Sequence, residues 1–229
     1  MTPISHQQGA GLIEVLVAVL LLSIAVLGFS ALQVKAISAT DESLVRTKSL
    51  TIIRNLAEVM RAYPEAYVTG SGTAFNSATA NTTGAVPTIQ AVISSSATKT
   101  VTVSSKKIKD DGTVVTDTKI IGILDTDNNC LSTGFETVNG KKVPKQSCSM
   151  DQLAARDALM IKKMAADEDI ELAITTCPGT TVQSIQQQMC VITAWNGTKA
   201  LLDDSDTAAC ANANGVYNRG SHCIILEAY

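Results

Sequence analysis

Residues 6–33 read HQQGAGLIEVLVAVLLLSIAVLGFSALQ, and the fold turns on this stretch. From Leu12 to Leu32 it is apolar apart from two serines, one glycine and a single full charge, Glu14. As a helix rising about 1.5 Å per residue it spans roughly 31 Å, close to the thickness of a bilayer core. Ser23 and Ser30 are expected to bond to backbone carbonyls one turn back. A cleaved secretory signal would carry basic residues before the apolar core and a small-residue cleavage site after it. Residues 1–9 contain no Lys or Arg, and no turn-rich break follows Leu32. A plain membrane anchor leaves the placement of Gly9 and Glu14 without a reason.

Helical patterning continues beyond the apolar run. Val45, Ile52, Ile53, Leu56, Val59, Met60 and Tyr63 fall along one side of residues 33–63, and Arg46, Lys48, Arg54, Asn55, Glu58 and Arg61 along the other. Pro64 should end the helix, because the residue before a proline is pushed out of the helical region. The whole helix from Ala10 would be roughly 80 Å long. Its second half needs a domain to cover one stripe; the heptads are too few and irregular for a coiled coil.

The glycine, the carboxylate and the apolar run together carry a resemblance. GAGLIE, residues 9–14, resembles the processing motif of type IV prepilins, usually written G-F-T-L-I-E. Leu12, Ile13 and Glu14 match outright. Ala10 stands for the usual Phe and Gly11 for the usual Thr or Ser, and the leader lacks its usual basic residue. The resemblance implies a cut between Gly9 and Ala10 by a prepilin peptidase and methylation of the new N-terminus. It also implies the type IV pilin fold, an α+β architecture. In that fold a long N-terminal helical spine has a transmembrane first half and packs under an antiparallel β-sheet head. The organisation expected is a leader at 1–9, a transmembrane and assembly half at 10–32, an amphipathic half at 33–63 and a disulfide-bonded head at 64–229. A carboxylate in a membrane helix costs up to about 3 kcal/mol and seeks a partner. Glu14 either snorkels to the headgroups or pairs with the α-amino group of a neighbouring subunit, which would set axial register during assembly. Lys35, Arg46 and Lys48 follow the helix and by the positive-inside rule favour a cytoplasmic C-terminus. The cysteines and the processing motif outweigh them, and the head is expected outside.

In the head, residues 69–105 are rich in Thr, Ser, Ala, Gly and Asn and read as a long loop with one strand at 100–104. KKIKDDGTVVTDTKIIGILD, residues 106–125, reads as a hairpin turning at Asp111-Gly112. Lys106, Lys107 and Lys109 are basic, but the adjoining Asp110 and Asp111 mark a solvated turn rather than a phosphate contact. Ser149 with Gln152 three residues on forms a capping-box pattern, and a helix is expected to about Ala166, then a strand. Residues 189–203 read as two strands around Asn196-Gly197 and residues 223–229 as a last strand, giving an antiparallel sheet of at least four strands. Cys148, Leu153-Ala154, Asp157, Pro178-Gly179 and VITAW ending in Trp195 resemble the minor pilins called PilV-type pilus modification proteins. Ile161 stands where that family often has Trp.

Six cysteines (Cys130, Cys148, Cys177, Cys190, Cys210 and Cys223) lie in the second half of the chain. With no C-x-x-C pair and only two histidines, zinc has little support. An even number beyond a membrane segment reads as disulfides, although six cysteines allow fifteen connectivities and free buried thiols stay open. Sequence-neighbour pairing is expected: 130–148, 177–190 and 210–223. Asp125, Asp127, Asn129 and Glu136 stand at positions one, three, five and twelve of a calcium-loop pattern, but Cys130 occupies position six, where glycine is needed. Asn81 and Asn196 begin short glycosylation sequons. His6 leaves with the leader, His222 has no evident partner and no phosphate loop exists, so no enzyme and no cofactor are expected. Net charge is −3 and aromatics are only 3%, so no nucleic acid is expected as a partner.

By resemblance, the reading is a minor pilin incorporated in a type IV pilus, in a tip or priming complex that initiates assembly. The pilus would then support twitching motility, adhesion or DNA uptake. Partners implied are other minor pilins and the major pilin through the N-terminal helix, the prepilin peptidase, the assembly platform and the inner membrane before assembly. The alternatives are a minor pseudopilin of a type II secretion system and a tip receptor binding DNA or a host surface. The expected location is the inner membrane, single-pass with the head in the periplasm, then the cell-surface pilus.

Overall fold

The computed structural model describes residues 11–64, 89–95, 98–109, 111–124, 128–131, 134–145, 147–178 and 189–228. The chain divides into two units, residues 1–45 and 46–229. Helix α1 spans Leu12–Ala62, 51 residues without an interior proline. In the first unit it is exposed on every side, from Leu12 at 85% through Phe29 to Ile37 at 62%. A helix apolar all round has no polar face to give to water. By length and composition it is the one helix among the described residues able to cross a membrane. Its hydroxyls are turned inward: Ser23 Oγ donates to the Val19 carbonyl at 2.7 Å and Ser30 Oγ to that of Val26 at 2.9 Å.

In the second unit the same helix becomes amphipathic. Ile52, Ile53, Leu56, Ala57 and Met60 are buried, Val45, Val59 and Tyr63 are half-buried, and Arg46, Arg54, Glu58 and Arg61 face solvent. Full burial of each large aliphatic side chain contributes about 1.5–3 kcal/mol. The helix stops at Ala62, two residues before Pro64, and the Tyr63 amide makes a last bond to the Val59 carbonyl at 3.0 Å.

Helix α2 (Ile89–Ser94) is short and largely buried, and packs against α3 (Met150–Asp167) and β5 (Glu171–Thr176). It lies inside the stretch expected to be a loop. Its propensity is weak; burial of Ile89, Val92 and Ile93 selects it. Strands β1 (Thr100–Ile108) and β2 (Val114–Gly122) form the hairpin expected at Asp111-Gly112, with Gly112 at φ +80. Val101, Val103 and Ile121 point to the core. Strands β3 (Phe135–Val138) and β4 (Lys141–Pro144) form a second, separate hairpin. In α3 the capping box forms as expected: the Ser149 amide donates to Gln152 Oε1 at 2.9 Å and the Gln152 amide to Ser149 Oγ at 3.4 Å. Ala154, Ala155, Ala158 and Leu159 line its buried face, the alanines allowing close approach.

The largest sheet has three antiparallel strands in the order β5-β6-β9, with β6 (Met189–Ala194) central and buried throughout and β9 (Cys223–Glu227) on its far side. The expected sheet of at least four strands is therefore not what forms among the described residues. Asn196 and Gly197, at φ 54 and 76, do make a turn. The strand that follows, β7 (Lys199–Leu202), pairs instead in parallel with β8 (Ala209–Ala211). The reason is occupancy: a strand has two hydrogen-bonding edges, and β5 and β9 already take both edges of β6.

Candidate assembly interface

The apolar part of α1 supplies the first half of the site. Leu12, Ile13, Leu16, Leu20, Leu27 and Phe29 each keep more than half of their surface exposed, an area no water-soluble domain leaves bare. Glu14 lies in the first turn. Its amide and that of Val15 donate to the Gly11 carbonyl at 2.8 and 3.4 Å. Among the described residues no group lies within hydrogen-bonding or ion-pairing distance of the Glu14 carboxylate. Gly9 and Ala10, the expected processing site, lie outside the described residues.

The second half of α1 is anchored to the head by side chains that pattern reading missed. Three links join it to α3: Lys48 pairs with Glu168, Asn55 Nδ2 reaches Met164 Sδ at 4.0 Å, and Tyr63 Oη donates to Asp157 Oδ2 at 3.2 Å. Positions rise along α1 as they fall along α3, so these two helices run antiparallel. Asp157 also takes the Arg156 guanidinium at 2.9 Å. Burial first, then the Asp157 carboxylate and its hydrogen bond, hold the Tyr63 phenol above its ordinary pKa. Lys162 reaches from α3 to the C-terminal carbonyls of α2, at Val92 (3.3 Å) and Ser95. A cation there satisfies carbonyls that the helix leaves unpaired, and burial pushes the ammonium pKa down. The i, i+7 spacing of Lys48, Asn55 and Ala62-Tyr63 was the available signal for the α1–α3 seam.

The cysteines pair as Cys130–Cys148, Cys177–Cys190 and Cys210–Cys223, with sequence separations of 18, 13 and 13. The last closes a polar loop stitched by its own side chains. Asn212 Oδ1 accepts from the Asn214 and Val216 amides at 3.1 and 2.9 Å, and Asn218 Nδ2 donates to the Ala209 carbonyl at 2.9 Å. Gly215, at φ +83, lies against Pro178, next to the Cys177–Cys190 bridge.

Of the calcium-loop candidates, Asp125 and Asp127 lie outside the described residues. Asn129 is buried and its Oδ1 accepts the Leu131 amide at 3.0 Å, while Glu136 is exposed on β3. Cys130 adopts φ +61, the left-handed conformation that glycine usually supplies at that position. Among the described residues no cluster of three or more His, Cys, Asp or Glu side chains is arranged to hold a metal. Asn196 is exposed in its turn, and Asn81 lies outside the described residues.

A long apolar N-terminal helix followed by largely antiparallel sheets is an α+β layout. Residues 31–102 match the family model described as Tt1218-like, type IV pilin Tt1218. That similarity supports a pilus component, and with the apolar helix it fits membrane anchoring followed by entry into a pilus. No curated protein and no solved structure matches the chain.

Proposed function

We propose that this chain is a minor pilin of the PilV type, cut between Gly9 and Ala10, methylated on Ala10, and placed in a tip or priming complex of a type IV pilus. The observation that carries the reading is the bare apolar surface of α1 with one carboxylate, Glu14, one turn from its start. Membrane lipid covers such a surface before assembly, and the apolar helices of other minor pilins and of the major pilin cover it afterwards. In that dry environment the Glu14 carboxylate and a neighbour's α-ammonium attract strongly, and only one axial register joins them. The leader would be residues 1–9, the assembly half 10–32, the amphipathic half 33–63 and the head 64–229, with the head in the periplasm and then on the fibre. The role is structural, with no catalysis and no cofactor.

The test is a clean deletion in the source organism, complemented by wild type or Glu14→Val and scored for sheared surface pili and for exported enzymes. Loss of pili with normal secretion, rescued at least about tenfold better by wild type than by Glu14→Val, is expected. Normal pili with lost secretion would replace this reading with a secretion pseudopilin. Mass spectrometry of the mature N-terminus checks the cut and the methyl group.

A further inference from the structure

An open cleft of about 530 Å³ lies in the head where α2, the end of α3, β5 and β7 meet. Ile93, Ala166, Ile170, Leu172 and Ala200 give it apolar walls. It also holds an open strand edge. The Trp195 amide donates to the His222 carbonyl at 2.9 Å and the Ala228 amide to that of Met189 at 2.8 Å, which fixes the phase of the β6–β9 ladder. Odd-numbered residues of β6 therefore bond to β9 and even-numbered ones to β5. In β5 this directs Glu171 and Ala173 at β6 and turns the Leu172 amide and carbonyl to the outer edge. Among the described residues neither group has a hydrogen-bond partner.

The second feature is a cation without a counter-ion. Lys162 lines the same cleft, half-buried, and gives two of its three ammonium donors to the Val92 and Ser95 carbonyls. Among the described residues no carboxylate pairs with it, and burial is what lowers its pKa. An anion placed there restores solvation that the charge has lost. Asp169 and Glu171, both exposed, complete the lining.

We propose that this cleft binds the carboxy-terminal end of an apolar polypeptide partner in extended form. The terminal carboxylate takes the remaining Lys162 donor, the backbone pairs with Leu172 as an added strand, and apolar side chains rest against Ile93 and Ile170. Asp169 and Glu171 repel acidic residues, so the chain behind the terminus is neutral or basic. A free carboxylic acid meets the lysine but makes no use of the strand edge. The proposal goes beyond the pilin reading and stands whichever fibre carries the head.

The experiment uses the full chain in nanodiscs of phosphatidylcholine, which hold α1, with empty discs as background. The probe is the peptide Lys-Gly-Val-Leu-Val, labelled with fluorescein at its amino end and followed by polarisation. The free acid should bind at least about tenfold tighter than the carboxamide. Lys162→Gln should remove that preference while leaving the carboxamide's affinity unchanged, and Lys162→Arg should keep it. N-methylation of the last peptide amide and of the one before it should have unequal effects, one costing about tenfold and the other little, because successive amides of an added strand point to opposite sides. No binding of the free acid, equal binding of acid and carboxamide, a preference that survives Lys162→Gln, or equal effects of the two methylations each overturn the proposal. The acid, carboxamide and methylated probes act on the unaltered chain, so the test holds even if Lys162→Gln loosens α2.

Discussion

Removing the Cys210–Cys223 bridge tests what holds the C-terminal loop. In Cys210→Ala/Cys223→Ala, chain-entropy arithmetic for a separation of 13 residues gives a loss of about 3 kcal/mol. The structure makes that loss visible locally. Cys210 is fully buried in β8, Cys223 begins β9, and only Ala211 of the intervening residues is buried. Its side-chain hydrogen bonds contribute only about 1 kcal/mol apiece, so they do not replace the bridge. The single tryptophan, Trp195, is 5% exposed, and its amide donates to the His222 carbonyl at 2.9 Å, one residue from Cys223. Its fluorescence therefore reports this region during guanidinium unfolding of the micelle-held chain. Asn218→Ala serves as the comparison and should cost about 1 kcal/mol. A loss below about 1 kcal/mol on deleting the bridge, with Asn218→Ala costing more, would refute the reasoning and make the polar stitching the main restraint.

Leu56→Ala in α1 removes a side chain with no exposure and should cost about 2–5 kcal/mol by the same unfolding assay, with the apolar assembly half unaffected. The raised phenol of Tyr63 favours the protonated fold, so its contribution is complete below about pH 10 and is lost as pH climbs through the folded value. Tyr63→Phe should flatten the decline of stability above about pH 10, and tyrosinate absorbance should show one fewer late-titrating phenol. Gly215→Ala meets both a φ of +83 and Pro178 Cγ at 2.6 Å from the new Cβ, whereas Gly220→Ala, at φ +79, meets nothing within 4 Å. Gly220→Ala should cost about 1 kcal/mol and Gly215→Ala clearly more; equal costs would show that Pro178 simply moves.

Local signals were readable where a residue acts on its own backbone. Pro64 stopped α1, Ser149 and Gln152 started α3, and Asp111-Gly112 turned the first hairpin. Pairing across the head was not readable, because it depends on which strand edges are already occupied. Asn196-Gly197 marks a turn, but nothing in those letters says that β9 reaches β6 before β7 does. Helix α2 was hidden for a related reason: its stability comes from burial and from Lys162, more than 60 residues away in sequence. Hairpin β3–β4 escaped notice because neither face is buried, so its alternation carries no core signal; only Asn139-Gly140 pointed to it. The apolar half of the candidate interface is plain in composition alone. Its anchoring through Lys48, Asn55 and Tyr63 needed the α3 partners, which composition does not supply.

The order of the disulfides bears on how the head is made. Each cysteine joins its neighbour in sequence, and no bridge encloses another. A chain oxidised as it emerges from its N-terminal end then never faces a choice. Cys148 meets only Cys130, and by the time Cys190 appears Cys177 is the one thiol still waiting. On the proposed export of the head, first-come oxidation yields this set out of fifteen without reshuffling, so the order of delivery alone selects the pairing.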